Sequence, residues 1–316
     1  MGSPSDVRID IADASRLANY CDLWNQVWPD HELALDELLR DRQILPPEQL
    51  PTVWIASSSD KPVGFATAYR YVGEYHPQKW NIAIGVLLPW RKRGIGKALF
   101  QAASEFVESQ NPISIATRTS DQDMESIGFA TRRGFAEYKR DFESELLLDS
   151  FDPDAHEPEV DSEVVISPAS GFDTLERRRE FHELFETVRV DVPRVEPPVR
   201  LSFEKFEQLV LDDPQFSWEM TQVATVNGQM IGFSGLYTMA TEGLLDQWLT
   251  ATHREFRGRK IALALKVAAT RKAKELGYKR IRTNNDTRNG PMLAINDRMG
   301  YVRLPGTITF LKRFDS

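Results

Sequence analysis

Twice along the chain an alternating apolar pattern gives way to a helical one across a short basic segment. In residues 80–88, Ile82, Ile84, Val86 and Leu88 alternate with other residues, as in a strand. In residues 99–108, Leu99, Phe100, Ala103, Phe106 and Val107 fall on one helical face. A second strand-like run, 244–252, leads in the same way into a long helix after residue 260.

The flanking patterns also repeat in order. Ahead of the first segment come a strand at 7–11, a helix with Leu17, Tyr20, Leu23, Trp24 and Val27 on one face, a helix at 33–41 and a hairpin of 52–56 with 63–71. After it come a strand at 113–117, a helix at 125–133 and a closing strand at 142–148. The second half offers a strand at 164–166, a helix at 175–188, a proline-stiffened loop at 191–198 and a helix at 203–211. A hairpin of 222–226 with 230–237 follows about Asn227-Gly228, then a partner strand at 279–283 and a closing strand at 308–313. The predicted fold class is α/β (α+β), with two tandem domains, each a mixed, mostly antiparallel sheet flanked by helices. Domains 5–148 and 163–316 would be joined by an acidic linker, 149–162, that holds Pro153 and Pro158.

Shifting the numbering by 166 places Arg91 on Arg257, Gly96 on Ala262, Leu99 on Leu265, Thr117 on Thr283 and Gly134-Phe135 on Gly300-Tyr301. One offset fits about forty-five residues without a gap, which points to a duplicated domain.

Each strand–helix junction has the makings of an anion site. Glycines permit a tight turn, the first-turn N–H groups converge on one spot, and the helix dipole favours negative charge there. The first copy adds Arg91, Lys92, Arg93 and Lys97, the second Arg257, Arg259 and Lys260. A Walker loop needs a longer glycine spacing and a Lys-Ser/Thr pair, and neither is present. A dinucleotide fingerprint needs a third glycine where Gly94-Ile95-Gly96-Lys97-Ala98-Leu99 has leucine.

The pattern Arg91-x-x-Gly94-x-Gly96 between a strand and a helix resembles the acyl-CoA-binding motif of the GNAT (GCN5-related N-acetyltransferase) superfamily. Arg257-x-x-Lys260-x-Ala262 departs from it at the middle glycine. Segments 283–286, 291–296 and 299–301 resemble the strand, loop and helix that close a GNAT domain. The resemblance covers both halves and is to the tandem-GNAT architecture found in enzymes such as mycothiol synthase, not to one enzyme. It implies a splayed strand pair that takes the pantetheine arm of acetyl-CoA or another acyl-CoA. The first donor site would use Val86, Leu87, Leu88, Arg91, Lys92, Arg93, Gly94, Ile95, Gly96 and Lys97. The second would use Ala251, Thr252, His253, Arg257, Gly258, Arg259, Lys260, Ile261 and Ala262, with Asn285 and Asn289 on the following loop.

The resemblance also implies direct attack of an amine on the thioester, with no covalent enzyme intermediate and so no catalytic role for Cys21. A general base commonly sits on the motif strand about ten residues before the loop. Asp246 stands there in the second half, Trp80 occupies the same column of the first, and Glu242 is a nearby substitute. A strand-edge ion pair is the other reading of Asp246. Many relatives place an acidic tyrosine four residues before the glycine of the final Gly-Phe/Tyr pair, where this chain has Asn296 and Ala130. Tyr301 stands where a core aromatic is more usual, and Asp246, Asn296 and Tyr301 form the catalytic candidate set. Asn285, Asn289 and Asn296 replace Thr119, Asp123 and Ala130 of the first half, which suits either an ordered polar site or local capping.

Composition narrows the rest. A chain of 316 residues, 41% hydrophobic and 10% aromatic, can fill two cores. The single Cys21 excludes an internal disulfide and suits a reducing cytoplasm. No apolar run reaches the length of a membrane span, residues 1–4 do not begin a signal peptide, and the histidines lack metal-ligand spacing. The net charge of −8 disfavours general nucleic-acid binding. The expectation is a cytoplasmic N-acetyltransferase acting on a small-molecule amine, as a monomer or homodimer, with the second domain catalytic and the first CoA-binding or structural. The alternatives are a GNAT-fold transferase that uses an aminoacyl-tRNA or carrier-bound acyl donor, and a non-catalytic CoA-binding pseudo-enzyme.

Overall fold

The computed structural model describes residues 7–29, 31–71, 75–192 and 198–314. Most of the proline-stiffened loop expected at 191–198 lies outside the described residues. By contacts, the chain forms two compact units, residues 1–139 with 307–316 and residues 140–306.

The first unit contains β1 (Val7–Ile11), α1 (Leu17–Val27), α2 (Leu35–Ile44), β2 (Thr52–Ser58), β3 (Lys61–Tyr69), β4 (Lys79–Val86), α3 (Ile95–Glu108), β5 (Ser114–Ser120) and α4 (Met124–Thr131). One sheet face packs Trp54, Ala66, Trp80 and Ile82 against Leu99, Ala103 and Val107 of α3. The other packs Val53, Ile55 and Phe65 against Tyr20 and Leu23 of α1. The motif strand β4 ends at Val86, and Leu88 falls in a 3-10 turn, Leu88–Trp90. The parallel ladder of β4 with β5 covers Lys79, Trp80 and Asn81 and then stops, leaving the two strands splayed.

The second unit holds most of β6 (Ala136–Leu147), then α5 (Pro153–His156), β7 (Val164–Pro168), α6 (Leu175–Arg189), α7 (Phe203–Phe206), β8 (Gln222–Val226), β9 (Gln229–Thr238), β10 (Leu244–Thr252), α8 (Ile261–Glu275), β11 (Arg280–Asp286) and α9 (Gly290–Met299). The ladder of β10 with β11 is again short, Leu244 to Asp246 against Arg280 to Arg282. Unlike β4, β10 carries a bulge between Gln247 and Leu249.

The closing strands are exchanged. Residues 141–147 of β6 pair antiparallel with β11, and residues 307–313 of β12 (Val302–Arg313) pair antiparallel with β5. The strands at 142–148 and 308–313, expected to close their own halves, each complete the sheet built from the other half of the sequence. Alternation states which face a strand buries, not which neighbour it joins. Residues 149–162 are pinned to α8, with Arg271 bonding Asp154 at 2.6 Å and Glu157 at 2.7 Å. No helix among the described residues is long and apolar enough to cross a membrane.

Candidate active site

Both motif arginines brace the end of their strand. Arg91 Nε donates to the Val86 carbonyl and Arg257 Nε to the Thr252 carbonyl, each at 3.1 Å. Each loop then needs left-handed backbone at two positions. Lys92 (φ 61°) and Gly94 (φ 84°) supply it in the first unit, Gly258 (φ 77°) and Lys260 (φ 61°) in the second. Each copy therefore has one glycine and one lysine, in opposite order. Lys260 keeps the loop's shape at the strain a side chain meets there, about 1 kcal/mol.

Ile95 and Ile261 anchor the helix starts in the cores. Neither start is capped by its own side chain, so first-turn N–H groups remain for an anion. A Cβ on Gly96 would meet no atom closer than 3.8 Å, and Ala262 fills the matching position, so the fold does not demand glycine there. Leu87 packs partly into the core beside α1, whereas Leu88 is exposed. Ala251 and Thr252 end β10, and His253 Nδ1 accepts from the Glu255 N–H at 3.4 Å.

The loops differ in charge. In the first, Lys92 pairs with Glu125 at 2.7 Å and Arg93 lies 4.9 Å from the Trp90 ring centroid. Among the described residues, Arg91, Arg93 and Lys97 form no ion pair. In the second, Asp191 accepts from Arg254 at 2.6 and 3.0 Å and from Arg257 at 2.6 Å. Arg259 bonds Asp161 at 2.6 Å and also Glu163. The Arg254 bonds, with those of Arg257, hold the Asp191 carboxyl down at about 2.

Asp246 sits just ahead of the β10 bulge, opposite Tyr237 on β9 and Arg282 on β11. It keeps some contact with solvent, yet burial pushes its carboxyl up to about 6; the Glu143 charge acts the same way and Arg282 opposes it. Arg282 bonds Glu145 at 3.1 Å and lies 3.7 Å from Glu143. Both glutamates come from the exchanged strand β6. The bulged Trp248 stacks on Phe185 at 5.2 Å and meets Tyr237, the residue opposite Asp246, edge-on at 5.5 Å.

The bulge corrects the comparison between halves. Ahead of it the offset drops by one residue, and Tyr69 pairs with Asn81 as Tyr237 pairs with Asp246. The counterpart of Asp246 is therefore Asn81, not Trp80, which is a core residue. Glu242 lies exposed in the turn before β10.

The asparagines separate. Asn289 caps α9, accepting from the Met292 N–H at 3.4 Å, as Asp123 caps α4. Asn285 and Asn296 are buried together, with Asn296 Nδ2 donating to Asn285 Oδ1 at 2.6 Å. Tyr301 lies in the core beside them, and burial, then the Asp246 charge, raises its hydroxyl above the usual range. Its Oη has no hydrogen-bond partner among the described residues. Lys266 also joins this group; it escaped the sequence pattern because a lysine within an amphipathic helix reads as solvated. The available signal was its column, which holds Phe100 in the first half.

The sequence profile of the Acetyltransferase (GNAT) family matches residues 17–135 and 179–301. No curated protein matches the chain. Among solved structures, a tandem GNAT protein from the clavulanic acid biosynthesis pathway is similar over 98% of this chain and 99% of that one, at 19% identity and a TM-score of 0.76. A GCN5-related N-acetyltransferase from Sphaerobacter thermophilus is similar over 98% and 96%, at 16% identity and a TM-score of 0.73. A glucosamine N-acetyltransferase region of a fungal GH3 β-N-acetylglucosaminidase is similar over 96% of this chain and 38% of that one, at 15% identity and a TM-score of 0.68. At these identities the likeness is one of fold.

Proposed function

The chain belongs to the GNAT acetyltransferase family, and from that premise we propose that it is an acyl-CoA-dependent N-acyltransferase whose second unit performs the chemistry on a small amine. The observation that carries this assignment is Asp246, a carboxylate held near 6 beside a bulge, where the first unit has Asn81, which takes no proton. The CoA pyrophosphate would lie on the uncapped start of α8 and the pantetheine arm between β10 and β11 beyond Asp246. An amine entering along Tyr237 and Trp248 gives its proton to Asp246 as its nitrogen attacks the thioester carbonyl. The N–C bond forms, the C–S bond breaks, and CoA leaves as thiolate, to be protonated by water. Backbone N–H groups of β10 would stabilise the oxyanion.

Arg91, Arg93 and Lys97, which form no ion pair among the described residues, support acyl-CoA binding at the first loop without turnover. The carboxylates on Arg254, Arg257 and Arg259 favour a second reading, a CoA-binding protein with no acyl transfer. Acetyl-CoA turnover over an amine panel separates the two. Asp246→Asn should lower kcat about 100-fold or more. The wild-type rate should rise through an apparent pKa near 6, as Asp246 becomes the carboxylate. Unchanged turnover in Asp246→Asn would remove Asp246 as base.

A further inference from the structure

Lys266 lies on the inward face of α8 and is 0% exposed. Burying an amine is unfavourable, and Phe100 in the first unit serves the same column without one. Its Nζ donates to Asn296 Oδ1 at 2.6 Å. Asn296 Nδ2 donates to Asn285 Oδ1 at 2.6 Å, and Asn285 Nδ2 donates to Ser144 Oγ at 3.0 Å and to the Phe142 and Thr283 carbonyls at 3.3 Å. The direction of this chain is forced. Carbonyls only accept, so Asn285 turns its nitrogen to them and its oxygen to Asn296. Asn296 then turns its nitrogen to Asn285 and its oxygen to Lys266, which donates. The chain ties α8, α9, β11 and β6 together beside the point where β10 and β11 part. The first unit has Phe100, Ala130 and Thr119 in these columns, so the network accompanies Asp246 and is absent where Asn81 replaces it.

We propose that Lys266 is a positioning residue of the second donor wedge: it holds the Asn296 amide oxygen, and through it the Asn296–Asn285 pair, in place beside the point where β10 and β11 part. The proposal rests on the reading of the second unit as the site of chemistry. Burial lowers the amine to about 7, and both its charged and neutral forms donate, so the positioning survives across neutral pH.

The test uses the full chain carrying Gly96→Trp, which blocks the first loop and leaves the second donor site to be measured. Lys266→Met keeps length and packing but removes the donor; Lys266→Gln keeps a donor. Three quantities are read: the side-chain amide resonances of Asn285 and Asn296, acetyl-CoA affinity by calorimetry, and turnover with amines. Lys266→Met should stay folded, shift both amide pairs, and weaken acetyl-CoA binding or kcat about 10-fold or more, with Lys266→Gln restoring both to within about threefold. Wild-type affinity and turnover in Lys266→Met would overturn the proposal, as would the absence of any acetyl-CoA binding in the Gly96→Trp parent. If acetyl-CoA binds but no variant acylates an amine, the proposed activity fails, while the affinity comparison still decides the role of Lys266.

Discussion

Lys266 and Asp246 stand where the first unit has no titratable side chain, and each makes stability depend on pH in a calculable direction. The Lys266 amine is lowered from 10.5 in the unfolded chain to about 7 in the folded one. Between these values the unfolded state binds more protons, so stability rises with pH through the window and the full penalty stands below about 7. Lys266→Met should therefore stabilise the chain below pH 7 by up to roughly 5 kcal/mol, less about 1–3 kcal/mol for the Asn296 oxygen left unpaired. The gain should shrink toward pH 10.5, as denaturant melts across pH would read. Asp246 runs the other way: its carboxyl is raised from 3.8 to about 6, so the stability it lends is present below 3.8 and lost as pH rises through 6. The position of Asp246 was legible through the family resemblance, which puts a candidate base about ten residues before the loop; its burial was not. Asn81 and Lys266 were not, since a bulge moves the register by one residue and a helical lysine carries no mark of burial.

At the scale of the element, the two phosphate loops show how one backbone tolerates different sequences. The strand, turn and helix were readable from apolar periods alone. The need for two left-handed residues was not, because each copy hides one of them under a lysine. Lys92→Gly and Lys260→Gly should each stabilise the chain by up to about 1 kcal/mol, measurable in thermal melts, whereas alanine at Gly94 or Gly258 should destabilise it. The loops also differ in what their arginines already hold. Asp191 occupies Arg254 and Arg257 as a phosphate would. Asp191→Asn should tighten acetyl-CoA binding at the second site several-fold, with the gain declining at high salt. An unchanged affinity would mean that those guanidinium groups do not face the pyrophosphate.

The whole molecule is two GNAT units, each completed by a strand from the other half of the chain. Duplication was plain in the sequence because one numbering offset aligned the motif, its helix and the final Gly-aromatic pair. The exchange of β6 and β12 was not, because both closing strands alternate in the same way and either could satisfy either sheet edge. Its consequence is that fragments 1–148 and 163–316 should fold poorly when expressed apart and recover structure when co-expressed. A cooperative melt from the isolated first fragment would contradict that dependence. The exchange also sets the Glu143 charge against Asp246 and Glu145 on Arg282, so the candidate acceptor face of the second unit draws charge from the first half of the sequence. The second unit is the one proposed to do the chemistry. The most direct measurement is acetyl-CoA turnover over an amine panel in the wild type and in the matched loop-blocking variants Gly96→Trp and Ala262→Trp. Turnover should survive Gly96→Trp and vanish in Ala262→Trp; turnover that survives Ala262→Trp and is lost in Gly96→Trp would contradict it.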